Sequence, residues 1–121
     1  MPVVRVEIVD RPGASLAPDL AQRLADRTGA ALGSAPGTTW AIVSVIPSTQ
    51  YAESGGSEGG YLPVFVRVLR QFLPDLPGRA AEAAALTRAV SEVTGKVADQ
   101  IHVIYEAPAA GRVAFGGVLV E

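Results

Sequence analysis

Pro2-Val3-Val4-Arg5-Val6-Glu7-Ile8 stands directly behind the initiator methionine, and Pro63-Val64-Phe65 repeats its opening 61 residues later. Val4, Val6 and Ile8 fall on one side of the first stretch and Arg5 and Glu7 on the other, the alternation of a half-buried strand. The same offset carries Pro47 and Gly55-Gly56 onto Pro108 and Gly116-Gly117. Between these markers each half holds a helical pattern that ends in Thr-Gly, at Thr28-Gly29 and Thr94-Gly95. Self-similarity of this kind predicts two tandem β-α-β units, one over about 2–60 and one over about 61–121.

Working outward, Asp10-Arg11-Pro12-Gly13 breaks the first strand. Pro18 suits a first helical position and Asp19 suits a helix N-terminus, so a helix is expected from there to Thr28, stopped by Gly29. Thr39–Ile46 is rich in β-branched residues and reads as a second strand; Ser48–Gly60 reads as a small hairpin plus a linker. Val64–Leu69 is a third strand and Pro74-Asp75-Leu76-Pro77-Gly78 a turn. Ala81–Thr94 has Ala83, Leu86, Val90 and Val93 at helical spacing, with Gly95 as the stop. Ile101–Tyr105 is a fourth strand, and Val113–Val120, split by Gly116-Gly117, a terminal strand or hairpin made to pair elsewhere. Right-handed crossovers then give an α/β (α+β) domain: a four-stranded mixed sheet with both helices on one face. The other face of the sheet needs a cover.

Composition sets the bounds. At 121 residues the chain reads as a single domain, and either unit alone would bury too little surface to be stable. Hydrophobic residues make up 49% and mean hydropathy is +0.30, which points to apolar surface shared with other subunits. A net charge of −2 leaves no footprint for nucleic acid or an anionic membrane. The absence of cysteine excludes disulfides, thiolate zinc sites and a thiol nucleophile. With no membrane-length apolar run and no signal-peptide pattern, the cytosol is the expected compartment.

The candidate base is Pro2. With Met1 removed, the strand begins with a secondary amine beside an apolar interior, and burial lowers an amine pKa from about 8 by up to a few units. Such a group accepts a proton at neutral pH. A retained Met1 would make the same nitrogen a tertiary amide with no basic lone pair. Pro63 is internal, so its nitrogen is an amide in either case.

The proline-led strand, the repeated unit and the Gly-Gly hairpin resemble the tautomerase superfamily of 4-oxalocrotonate tautomerase and macrophage migration inhibitory factor. The likeness spans nearly the whole chain. It is strongest at Ala14-Ser15 through Pro18-Asp19, at Ala52 with Gly55-Gly56-Ser57, and over Gly111–Leu119. The resemblance implies a homotrimer whose sheets pack into a barrel, with no cofactor. It also implies proton transfer by the N-terminal proline on a small keto or enol acid held by a cation. Arg70, which ends the third strand, is ranked first for that cation and Arg11 second; Arg67 and Arg112 are further candidates. Each also reads as a solvated charge beside a strand end. Ala30 stands where one branch has a lysine, Val113 where the short members have an aromatic, and Ala114 where the dehalogenating members have a carboxylate, which disfavours hydration. His102 reads as structural and suggests no metal; Trp40, Tyr51, Tyr61 and Tyr105 read as core, interface or surface residues. The expected function is a keto–enol tautomerase, with a non-catalytic trimeric scaffold or a lyase-type decarboxylase or hydratase as alternatives.

Overall fold

The computed structural model describes residues 1–57 and 60–121. Val3–Asp10 forms β1, Leu20–Ala31 α1, Trp40–Pro47 β2, Val64–Leu69 β3, Leu76–Thr94 α2 and Ile101–Tyr105 β4; Ala114–Phe115 and Val118–Leu119 are the short β5 and β6. The four long strands make one sheet in the order β2-β1-β3-β4. β1 runs parallel to β2, β3 parallel to β4, and β1 antiparallel to β3 at the centre. This is the four-stranded mixed sheet expected of two strand-helix-strand crossovers.

The period of two in each strand decides where the core lies. Val4, Val6 and Ile8 of β1 and Val64, Val66 and Val68 of β3 meet Leu20 and Leu24 of α1 and Leu86, Val90 and Val93 of α2 in one buried cluster. Both helices therefore cover the same face. Leu24 and Leu86 are fully buried, each contributing roughly 1.5–3 kcal/mol of apolar transfer free energy. The opposite face carries Arg5, Glu7, Ile42, Phe65, Arg67, His102 and Ile104, with Trp40 45% exposed at its margin.

The registers correct the spacing of the repeat. An offset of 61 would carry inward Val4 onto outward Phe65, since a one-residue slip turns every side chain to the other face. An offset of 60 carries Val4, Val6 and Ile8 onto Val64, Val66 and Val68, and Ala41 and Val43 onto Ile101 and Val103. The structural counterpart of Pro2 is thus Leu62, and Pro63 corresponds to Val3.

Three local expectations also change. The first helix begins at Leu20 because a tighter turn, Leu20 N–H to the Ala17 carbonyl at 3.1 Å, precedes the regular ladder. It then continues through Gly29 to Ala31 and is released at Gly33, whose φ is 68°. Gly29 serves a close approach instead: a Cβ there would lie 3.1 Å from Thr39 Oγ1. The second helix starts at Leu76, five residues early, because Asp75 caps it by accepting the Gly78 N–H at 2.9 Å and Pro77 fits the first turn. No hairpin forms among the described residues of Ser48–Gly60; Ser48–Gln50 is a short 3-10 turn, and Glu58 and Gly59 lie outside the described residues. The terminal hairpin does form, with Gly116 and Gly117 at φ 57° and 84° in a two-residue turn that requires positive φ at both. Phe115 packs edge-on against Trp40 at 5.3 Å.

Candidate functional site

At the N-terminal end of β1 the sheet presents Pro2 beside Arg70. The β1–β3 register pairs Val3 with Leu69, and one further step brings Pro2 opposite Arg70, on the helix-covered side. Both backbones are pinned: the Pro2 carbonyl accepts Trp40 N–H at 3.0 Å and the Arg70 carbonyl accepts Ala109 N–H at 2.8 Å. Pro2 and Arg70 line an open cleft of about 330 Å³ together with Met1, Ser34, Gln71 and Phe72. Ser34 comes from the loop after α1, and Phe72, 62% exposed, supplies an apolar wall.

Arg70 is held from behind. Its Nη1 pairs with Glu82 Oε1, and Tyr105 donates its hydroxyl to Glu82 Oε2 at 2.7 Å. The Glu82 side chain is 8% exposed and that of Arg70 24%. Burial, and then the hydrogen bond to Glu82, pushes the Tyr105 hydroxyl well above its ordinary value, so it stays a donor throughout the neutral range. The cleft thus combines a position for a basic amine, one guanidinium and an apolar wall. These are the groups needed to hold a carboxylate and move a proton beside it.

The other arginines are not brought to this place within one chain. Arg11 is exposed at the opposite end of β1, roughly 30 Å from Pro2 at the usual strand rise. Arg112 donates to the Ala107 and Pro108 carbonyls at 3.1 and 3.3 Å, holding the loop before the hairpin. It borders a different cavity, of about 420 Å³, on the uncovered sheet face with Arg5, Trp40, Ile42 and Arg67. Arg67 there pairs with Glu7 at 3.1 Å and Glu106 at 3.9 Å. His102 meets the Tyr61 hydroxyl at 2.6 Å beside Phe65, an aromatic group remote from the cleft. Among the described residues no cluster of three or more His, Asp or Glu could hold a metal ion. Among the same described residues no helix is long and apolar enough to cross a membrane.

Glu82, Ser34, Gln71 and Phe72 were not legible as site residues. Glu82 lies in an alanine-rich helix that reads as a solvated surface, and only tertiary packing brings it to Arg70, 12 residues earlier, and Tyr105, 23 residues later.

No protein-family model and no curated protein matches the chain. Solved structures do. A fused 4-OT, solved as a wild-type symmetric trimer, superimposes with a TM-score of 0.75 at 21% identity over 98% of this chain and 94% of that one. Macrophage migration inhibitory factor from Oncomelania hupensis gives 0.74 at 16% identity over 100% and 83%. An FG41 malonate semialdehyde decarboxylase gives 0.67 at 14% identity over 94% and 90%. The chain has the fold of the tautomerase superfamily, across nearly its whole length.

Proposed function

We propose that the protein is a tautomerase acting on a small 2-keto or 2-hydroxy-enoic carboxylic acid. The observation that carries this reading is the shared cleft of Pro2 and Arg70. With Met1 removed, the Pro2 nitrogen is a secondary amine lining the cleft. Arg70 binds the substrate carboxylate, and the enol lies between them. Pro2 takes the enol hydroxyl proton as the oxygen–carbon double bond forms. It then returns that proton to the carbon at the far end of the former double bond. One hydrogen moves from oxygen to carbon, and nothing is oxidised or reduced. The guanidinium also offsets the negative charge that grows on the enolate oxygen.

The same reading takes the two strand-helix-strand units as fused copies within one domain. Val3 pairs with Trp40 and Val64 with Ile101, the same separation along the chain in both units, which supports it. It also takes the uncovered sheet face, with Trp40, Ile42 and Ile104 exposed, as the surface buried in a homotrimer acting in the cytosol. The fold shared with a decarboxylase favours a lyase as the second reading.

The test begins with the intact mass of protein made in its native host, which registers whether Met1 is present. Processed protein is then mixed with phenylenolpyruvate and 2-hydroxymuconate, and ketonisation is followed by absorbance. Pro2→Ala is expected to remove most of the rate. A retained methionine, or full activity in Pro2→Ala, overturns the mechanism.

A further inference from the structure

Three side chains from three elements form a chain of contacts behind the cleft: Tyr105 at the end of β4, Glu82 on α2 and Arg70 just past β3. Each oxygen of Glu82 has its own donor, Arg70 Nη1 on Oε1 and the Tyr105 hydroxyl on Oε2. A carboxylate whose two oxygens are both engaged cannot rotate without breaking a bond, so it holds Nη1 of the guanidinium at one point. Nη1 is the nitrogen remote from Nε–H, so engaging it leaves the Nε–Nη2 edge intact. That edge offers two parallel N–H groups spaced to match a carboxylate. Among the described residues neither Nε nor Nη2 of Arg70 has a hydrogen-bond partner.

We propose that Glu82 and Tyr105 are positioning residues that set Arg70 so its Nε–Nη2 edge faces the cleft and receives the acid side-on. This rests on Arg70 being the carboxylate anchor, but not on Pro2 being the base. Side-on, two-point binding fixes the plane of the carboxylate as well as its position. The conjugated chain of a planar enol acid is thereby directed toward Pro2 at one angle. A lysine at position 70 would supply the charge without the plane.

Binding and turnover separate this proposal from the catalytic one. Phenylpyruvate is titrated into the processed protein by calorimetry, and phenylenolpyruvate turnover is measured in parallel. Tyr105→Phe keeps the ring and removes one hydrogen bond. It is expected to weaken phenylpyruvate binding, to raise KM about three- to tenfold, and to lower kcat as well, because the acid is no longer held at one angle to Pro2. Glu82→Gln, which keeps an acceptor oxygen, is expected to lie near it, and Glu82→Ala to be worse. The methyl ester of phenylpyruvate, which lacks the carboxylate charge, is expected to bind all of these variants as it binds the parent. Weaker acid binding with no turnover in any form upholds the positioning role while refuting the tautomerase. Unchanged acid binding in Tyr105→Phe and Glu82→Ala, where Arg70→Lys weakens it, overturns the positioning role alone. Equal weakening for acid and ester also overturns it, because that marks a loss of packing. Unchanged acid binding in Arg70→Lys and Arg70→Ala refutes the anchor and the positioning with it.

Discussion

Gly29 tests how closely α1 lies against the start of β2. Gly29→Ala would place a methyl group 3.1 Å from Thr39 Oγ1 and 3.3 Å from Thr39 Cβ, at a backbone conformation that alanine adopts freely. Two effects compete. Replacing an interior helical glycine by alanine is worth about 1 kcal/mol. Forcing a methyl group into a packed interface costs about 1–3 kcal/mol. The contact is too short by a few tenths of an ångström and its partner immediately precedes a strand, so packing is expected to win, with a net loss of about 1 kcal/mol. Thr39 Oγ1 is also buried without a hydrogen-bond partner. Thr39→Ala removes the shorter of the two contacts and an unpaired hydroxyl while keeping Cβ, and is expected to be near neutral or mildly stabilising. Placed in that background, Gly29→Ala should cost less than in the parent, because only the 3.3 Å contact with Cβ remains. Urea unfolding of the four proteins, followed by far-ultraviolet circular dichroism with a common m-value, measures the coupling. If Gly29→Ala stabilises the parent, or costs the same in both backgrounds, the close approach is not what selects glycine there. The geometry matters to the cleft as well, since Trp40 beside Thr39 holds the Pro2 carbonyl.

Leu86→Ala removes a fully buried side chain between α2 and the sheet and is expected to cost about 2–5 kcal/mol by urea denaturation; a loss below about 1 kcal/mol would contradict the core described above. Tyr105 has a folded-state pKa raised above its ordinary value of 10.0, so its contribution to stability is whole below that pH and drains away as pH rises beyond it. Tyr105→Phe should flatten the alkaline fall in stability, and an unchanged slope above pH 10 refutes this placement of the hydroxyl. Trp40 is the only tryptophan and is 45% exposed, so assembly through the uncovered face should move its emission to shorter wavelength as protein concentration rises. Sedimentation showing a trimer with no such change would place the subunit contacts elsewhere.

The alternation of Val4, Val6 and Ile8 against Arg5 and Glu7 was enough to identify the central strand and its buried side, because a strand has only two faces. Helix ends were less legible. Thr28-Gly29 looks like a terminus in sequence, yet the glycine answers to Thr39, which lies across a loop and is invisible to local pattern. The early start of α2 was written in Asp75 and Pro77, whose capping chemistry competes with an equally good reading as a turn. The spacing of the repeat was off by one because prolines were matched, whereas the face of each strand follows its valines. Pro2 drew attention by its place behind Met1 and Arg70 by the resemblance of its segment, and the β1–β3 register sets these two strand ends side by side. Arg11 and Arg112 share that local signature, and only the fold separates them, one to the far end of β1 and one to loop carbonyls. Glu82 gave no sign, since its contacts with Arg70 and Tyr105 form only after folding.

The central antiparallel pair has two ends, and they are chemically opposite. Where one end brings Pro2 against Arg70, the same register at the other brings Leu62 against Asp10. Opening the chain ahead of Leu62, as a circular permutant would, bares a primary amine next to an acid. That end carries a carboxylate where the other carries a guanidinium. On the proposed reading the two ends are therefore not equivalent: a second centre of the same kind would require Leu62→Pro and Asp10→Arg as well as a new chain start.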